Sequence, residues 1–468
     1  MNEDRSPFEW SAEQVAQAWR QCGEMYVGWW QELASMAPAG RTLSPSEGRR
    51  EVQTLGDDSQ EFATVLQEAL ARLKGDAQVV GHPAYLAYVA GAANPVAPMA
   101  QALAMMMNPY TGTYATAPAA VALEDEALGW IKELVNWPQD AFAWMTSGSS
   151  LAILSAVIAA RESRKFPAGR RRIYASDQAH HCLGKACFAA GFSEAELCLI
   201  PSRGGRLDEE ALAQQIAKDR REAWEPLMVF ATAGTTNAGC VDSLASLASL
   251  CEREQLWYHI DGAYGGFFAV LPEIEVLQGL ERADSLSLDP HKALSMPYGT
   301  GILLCKKAHA HALSWPRGLN ATYMPELSPE QLRFEYSDIS PELSRDFRGL
   351  RLWMSLKTFG KQAFRDHLRE KHQLAHELAS LLARDERLEL LSKPELSLFA
   401  FAVRNDEGGD KTRSLHAEIL KAGRFYLTTA RFQERLAIRV CLLGFRFHRQ
   451  HLQELKKEID QALGRISV

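Results

Sequence analysis

The sequence lacks the marks of a secreted, membrane-spanning or nucleic-acid-binding protein. Its eight cysteines (Cys22, Cys182, Cys187, Cys198, Cys240, Cys251, Cys305 and Cys441) show no CxxC spacing. Neither a zinc site nor a disulfide framework is indicated, no metal is expected, and the thiols should be reduced and mostly buried. The longest apolar runs, such as LAILSAVIAA at 151–160, reach about half the length that spans a bilayer. The opening MNEDRSPFEW is acidic and polar, unlike a secretory signal, so a soluble, cytoplasmic protein with no membrane partner is expected. With a formal charge of −7 and no long basic run, the chain carries no electrostatic footprint for nucleic acid. It has no internal repeat and no low-complexity segment. From 75 through 131 there is not one Lys or Arg, an absence that bears on the substrate.

What is present is enough for more than one typical domain: 468 residues, 47% of them hydrophobic. The runs AFAWMTS, RRIYASD, AELCLIPS, PLMVFATAG, WYHIDGA, SLSLDP and GILLCK between about 140 and 305 alternate with amphipathic segments. That alternation predicts an α/β fold with a mostly parallel sheet and helices on both faces. The first 78 residues read as helices that have no core of their own, with Trp29 and Trp30 needing cover from a second subunit or from the chain's own large domain. After about 355 a charged helical stretch, two strands and a last helix with Leu452, Leu455, Ile459 and Leu463 on one face predict a small α+β domain. The expected units are 1–78, 79–355 and 356–468.

Two stretches carry the chemistry. HIDGAYGG at 259–266 places Asp261 at the carboxyl end of a buried strand, where open α/β sheets bind ligands and where a carboxylate can pair with a pyridinium nitrogen. SLSLDPHKALS at 285–295 runs from a second strand into Asp289, His291 and Lys292. A partly desolvated lysine there can condense with an aldehyde. With Asp261, Ala263 and the His-Lys pair in this order, the chain resembles the group II pyridoxal-phosphate-dependent amino acid decarboxylases, the family of the aromatic and glutamate decarboxylases. Further motifs follow in the family's order: HPAYLAYVAGAANP at 82–95, MTSGSS at 145–150, SDQAH at 176–180 and SRDFRGLRLW at 344–353.

The resemblance implies a fold type I, aspartate aminotransferase-like large domain that binds pyridoxal 5'-phosphate. It also implies a homodimer with shared sites, whose amino-terminal helices wrap the partner. Lys292 is then the Schiff-base lysine and Asp261 the partner of the ring nitrogen. Gly148, Ser149 and Ser150, at a strand-turn-helix junction whose free amides favour an anion, hold the phosphate with Asp289 and His291. His180 stacks on the ring, Ala263 lies flat beneath it and Thr236 sits near the cofactor. Leu151 and Ile153 depart from the glutamate and the asparagine or threonine that many members carry. Counting back from Arg345 puts Tyr336 at the position of the tyrosine that returns a proton to the α-carbon in aromatic amino acid decarboxylases; a packing tyrosine is the alternative. Tyr88 and Gly91 fall in the substrate-side segment, Gly91 as a place where a missing side chain widens the pocket. The long stretch without cations favours a neutral side chain, aromatic or aliphatic, over an acidic one. The expected activity is decarboxylation of such an L-amino acid to its amine. The alternatives are an acidic amino acid as substrate, or oxygen-using aldehyde synthesis.

Overall fold

The computed structural model describes residues 8, 10–39, 57–164, 166–309, 312 and 335–466. Its first helix, α1 (Ala12–Glu32), begins at a capping box in which the Ser11 and Gln14 side chains each accept from the other's backbone amide. Trp30 stacks on Phe445 with ring centroids 6.2 Å apart and carries the Arg446 guanidinium 3.8 Å from its centroid. This end of α1 therefore folds back on its own chain, whereas Trp10, Trp19 and Val27 remain exposed. Helices α2 (Phe62–Asp76), α3 (Val96–Met107) and α4 (Pro118–Leu134) lead to the main sheet. Among the described residues no helix is long and apolar enough to cross a membrane.

That sheet contains β1 (Phe142–Thr146), β2 (Arg171–Ser176), β3 (Leu197–Ile200), β4 (Glu225–Thr232), β5 (Trp257–Asp261), β6 (Ser285–Leu288) and β7 (Gly301–Cys305), in the order β1-β7-β6-β5-β4-β2-β3. Pairs from β6 to β3 are parallel; β7 is antiparallel to both β6 and β1. The strands β5, β6 and β7 are buried along their whole length, which explains their near-continuous apolar sequence. Helices α5 (Ser149–Ser163), α6 (Cys182–Ala189), α7 (Glu209–Arg221) and α8 (Leu244–Glu254) fill the connections. The fold type I architecture expected from the sequence is the one that forms, with its last strand reversed. The link from β6 to β7 turns back at Gly299 (φ 82) instead of laying a helix across the sheet, so β7 returns antiparallel.

The long helix α9 (Gly349–Ala383) bends at Gly360, where φ is 72 and ψ is 161. The expected boundary after Ser355 thus falls inside a helix. Beyond it, β8 (Leu388–Ser392), β9 (Leu398–Val403), β10 (Thr428–Phe432) and β11 (Arg435–Cys441) form an antiparallel sheet in the order β8-β9-β11-β10. With α10 (Asp410–Ala422) and α11 (Arg449–Leu463) it encloses a second core that includes Leu374, Phe399, Phe401, Leu452 and Leu455. Ala84 and Leu86 belong to this core as well. Their backbones pair with Tyr426, Tyr426 N donating to the Ala84 carbonyl and Leu86 N to the Tyr426 carbonyl, each at 3.0 Å.

A buried ion pair ties the SRDFR stretch to α4. Arg345 Nη2 lies 2.6 Å from Glu124 Oε1 with neither side chain exposed, and Arg345 also covers the Tyr336 ring at 4.5 Å. Burial pushes the Glu124 carboxyl up and the Arg345 guanidinium opposes it. Arg345→Met strands that acid and is expected to cost about 3–5 kcal/mol in denaturant unfolding. A loss below about 1 kcal/mol would mean the pair behaves as a solvated one.

Candidate active site

The carboxyl ends of β4, β5 and β6 meet the start of α5 around a cavity of about 490 Å³. Its wall includes Gly148, Ser149, Ser150, His180, Thr236, Asp261, Ala263, Asp289, His291 and Lys292, so ten of the thirteen residues singled out in the sequence converge. Tyr336, Tyr88 and Gly91 do not line it.

Asp261 is placed by strand register. In the parallel pairing of β5 with β6, His259 faces Ser285 and Asp261 faces Ser287. The result is a buried chain of polar groups. Trp257 Nε1 donates to Ser285 Oγ at 2.9 Å, Ser285 Oγ lies 2.8 Å from His259 Nδ1, and Ser287 Oγ lies 3.4 Å from His259 Nε2 and donates to Asp261 Oδ1 at 3.3 Å. The same Oδ1 accepts from the Ala263 amide at 3.1 Å. Burial raises the Asp261 pKa, with the Lys292 ammonium opposing, and holds His259 neutral, its pKa down to about 3. Sequence reading missed this support, although the spacing HxD opposite SxS was its signal.

Lys292 has a side chain 24% exposed, and its Nζ is 3.2 Å from Asp289 Oδ2. Burial alone would lower its pKa, but Asp289 and then Asp261 outweigh burial and raise it. The lysine expected to be eased toward its neutral form is instead held as an ammonium by two carboxylates. His180 is the reverse case: burial first, then His181 and Lys292, lower it to about 4, so it presents a neutral imidazole. Cys182 lines the cavity beside it, its thiol pushed up to about 12 by burial.

The turn into α5 has a backbone that favours glycine. Gly148 has φ 156, and a Cβ added at Gly301 would lie 2.4 Å from the Gly148 Cα. The amides of Leu151 and Ala152 close on the Gly148 carbonyl, and the Ser149 amide donates to Asp289 Oδ1 at 2.8 Å. The buried Ser149 hydroxyl has no hydrogen-bond partner among the described residues. Asp242, accepting from the Thr232 and Leu207 amides at 2.8 and 2.7 Å, fixes the end of β4. A buried carboxylate, an amine and a glycine turn at a helix start, all around one cavity, are the donor set that a phosphorylated pyridine aldehyde requires, so these residues fit pyridoxal phosphate.

The three outliers have other surroundings. The Tyr336 ring is buried and its hydroxyl donates to Asp125 Oδ1 at 2.6 Å, which matches the packing alternative for this residue. Gly91 does not widen the cavity: a Cβ there would stand 1.9 Å from the Lys292 carbonyl oxygen, so the bare backbone allows two segments to touch. Tyr88, with φ 54, is half exposed and its carbonyl accepts from Arg439 at 3.3 Å. Tyr298, which sequence reading passed over, lines both the cavity and a neighbouring one of about 350 Å³ that includes Trp29, Trp30 and Gly91.

Comparison with known proteins agrees with this geometry. The family model described as the pyridoxal-dependent decarboxylase conserved domain matches residues 45–404. An aromatic-L-amino-acid decarboxylase of Bacillus atrophaeus is 32% identical over 400 residues, 83% of each chain. A phenylacetaldehyde synthase of Arabidopsis thaliana is 25% identical over 427 residues, 86% of each. Among solved structures, Oryza sativa TDC with PLP and tryptamine superposes with a TM-score of 0.91 at 24% identity, covering 98% of this chain and 99% of that one.

Tyr336→Phe is expected to lower unfolding stability by about 1 kcal/mol, the net worth of the hydrogen bond lost to the exposed Asp125, and to leave cofactor affinity unchanged. Calorimetric titration of the variant with pyridoxal phosphate checks this. Weakened binding at unaltered stability would return Tyr336 to the site.

Proposed function

Since the chain belongs to the pyridoxal-dependent decarboxylase family, as a carboxy-lyase with pyridoxal 5'-phosphate as cofactor, we propose that it converts an aromatic L-amino acid into its amine and carbon dioxide. The observation that carries the substrate class is charge. Among the described residues lining the cavity, Lys292 is the sole Lys or Arg, and its ammonium already faces Asp289 and Asp261. A distal carboxylate on the substrate would find no free cation there, whereas His180, Tyr264 and Tyr298 offer ring surfaces. Relatives at 25–32% identity include an aromatic-L-amino-acid decarboxylase and a phenylacetaldehyde synthase.

Bound pyridoxal phosphate supplies an electron sink for the pair left behind when carbon dioxide departs. In our reading Lys292 anchors its aldehyde, and Gly148, Ser149 and Ser150 receive the phosphate. Asp261, steadied by Ser287 and the Ala263 amide, would hold a proton on the ring nitrogen. The neutral imidazole of His180 would cover one face of the ring and keep water from it, and Ala263 would leave room at the other. Thr236 completes the rim. We further propose a homodimer: Met99, Leu103, Met105, Met106 and Met107 of α3 are exposed together with Trp10 and Trp19 of the amino-terminal segment, more apolar surface than an isolated chain is expected to show.

Aldehyde synthesis stays as a second reading for a specific reason. A Tyr336 hydroxyl free to return the proton would disfavour it, but that hydroxyl is engaged with Asp125. Mass spectrometry of products from a panel of amino acids, with and without oxygen, separates the two. Amine and carbon dioxide from aromatic substrates without oxygen uptake is the expected result. Aldehyde with oxygen consumption moves the chain to the other branch, and turnover of glutamate or aspartate alone would end the aromatic assignment. Tyr298 should set the size limit as the wall between two cavities. Tyr298→Ala is expected to raise kcat/KM for tryptophan relative to phenylalanine by about tenfold; an unchanged ratio would show that the wall lies elsewhere.

A further inference from the structure

The cradle contains a carboxylate where a phosphate needs donors. Asp289 is 3% exposed, and both its oxygens are engaged. Oδ1 accepts from the Ser149 amide at 2.8 Å, while Oδ2 stands 3.2 Å from Lys292 Nζ and 3.6 Å from His291 Nε2. The Ser149 amide is the first of α5 and points from the positive end of that helix. One N–H donates to one anion at a time, and a carboxylate a few ångströms from a phosphate dianion repels it. The lysine contact works in the same direction, because only a neutral amine attacks an aldehyde carbon and a close carboxylate stabilises the ammonium.

We propose that Asp289 is an internal anion that competes with the cofactor's phosphate for the amino end of α5 and, through its ion pair with Lys292, opposes attachment of the aldehyde. Asp289 is therefore a positioning residue that sets how readily the protein takes up and releases its cofactor; it is not a donor to the phosphate. The inference rests on the reading of this cavity as the pyridoxal phosphate site.

Asp289→Asn tests it directly, because the amide keeps an oxygen to accept from Ser149 and removes only the charge. Two probes apply to cofactor-free protein: inorganic phosphate, by calorimetry, and pyridoxal phosphate, by the rate at which bound cofactor quenches tryptophan fluorescence. The variant is expected to bind phosphate at least about tenfold more tightly, the lower end of the effect of one close like charge, and to load pyridoxal phosphate faster than wild type. Unchanged or weaker phosphate binding overturns the proposal and makes Asp289 a supporting member of the cradle. Should the variant fail to fold, hydrogen exchange on the wild type decides. Protection of the Ser149 amide in cofactor-free protein without added anion supports the proposal, and free exchange overturns it. A wild-type chain that takes up no pyridoxal phosphate at all overturns the cofactor reading, and this inference with it.

Discussion

The parallel pairing of β5 with β6 is the constraint on which the site depends. It sets Asp261 opposite Ser287 and His259 opposite Ser285. A slip of one residue would turn every one of these side chains to the other face of the sheet. Because both strands are wholly buried, their polar members must satisfy one another, and they do so in a single chain from Trp257 to Asp261. The support of Asp261 is thus a by-product of folding the sheet in register. The reversal of β7 belongs to the same design: with no crossover helix after β6, Asp289, His291 and Lys292 stay within reach of the Gly148 turn.

Electrostatics then divides the labour. Two carboxylates, Asp289 and Asp261, face one ammonium, and the sum favours the charged lysine despite its burial. Burial wins at His180, where it and the cationic neighbours outweigh Asp289, and at His259, where it acts alone, so both stay neutral. The cavity therefore holds two carboxylates and one ammonium beside the uncharged His180 ring. An acidic group brought into it would meet two carboxylates and find the one ammonium already paired.

Much of this was legible from residue order. Strand and helix alternation foretold the sheet, and the HxD and HK motifs marked the ends of β5 and β6 because glycine, proline and polar residues interrupt apolar runs there. What stayed hidden depends on contacts between distant segments. Gly91 reads as a missing side chain, but its meaning is a backbone 201 positions away, at Lys292. Tyr336 sits at the right count from Arg345, yet Arg345 is drawn inward by Glu124 and takes the tyrosine into the core with it. Asp289 looks like any member of a phosphate loop until its oxygens are seen to hold the helix amide and the lysine together.

The arginine-rich stretch shows how such distant packing reaches the wall of the cavity. Arg345 anchors it to α4, and Arg348 is held by Glu342 at 2.7 and 2.9 Å. Within the first turn of α9, Arg351 Nη2 donates to the Gly299 carbonyl at 3.1 Å. Gly299 is the left-handed turn that follows Tyr298, and His291 Nδ1 holds the next carbonyl, that of Thr300, at 2.7 Å. The Tyr298 ring is 5.4 Å from that of His291. The wall of the cavity is thus clamped from two sides, by the arginine helix and by the loop that carries the lysine. A change in the arginine-rich stretch therefore acts on the position of Tyr298, although no arginine lines the cavity among the described residues.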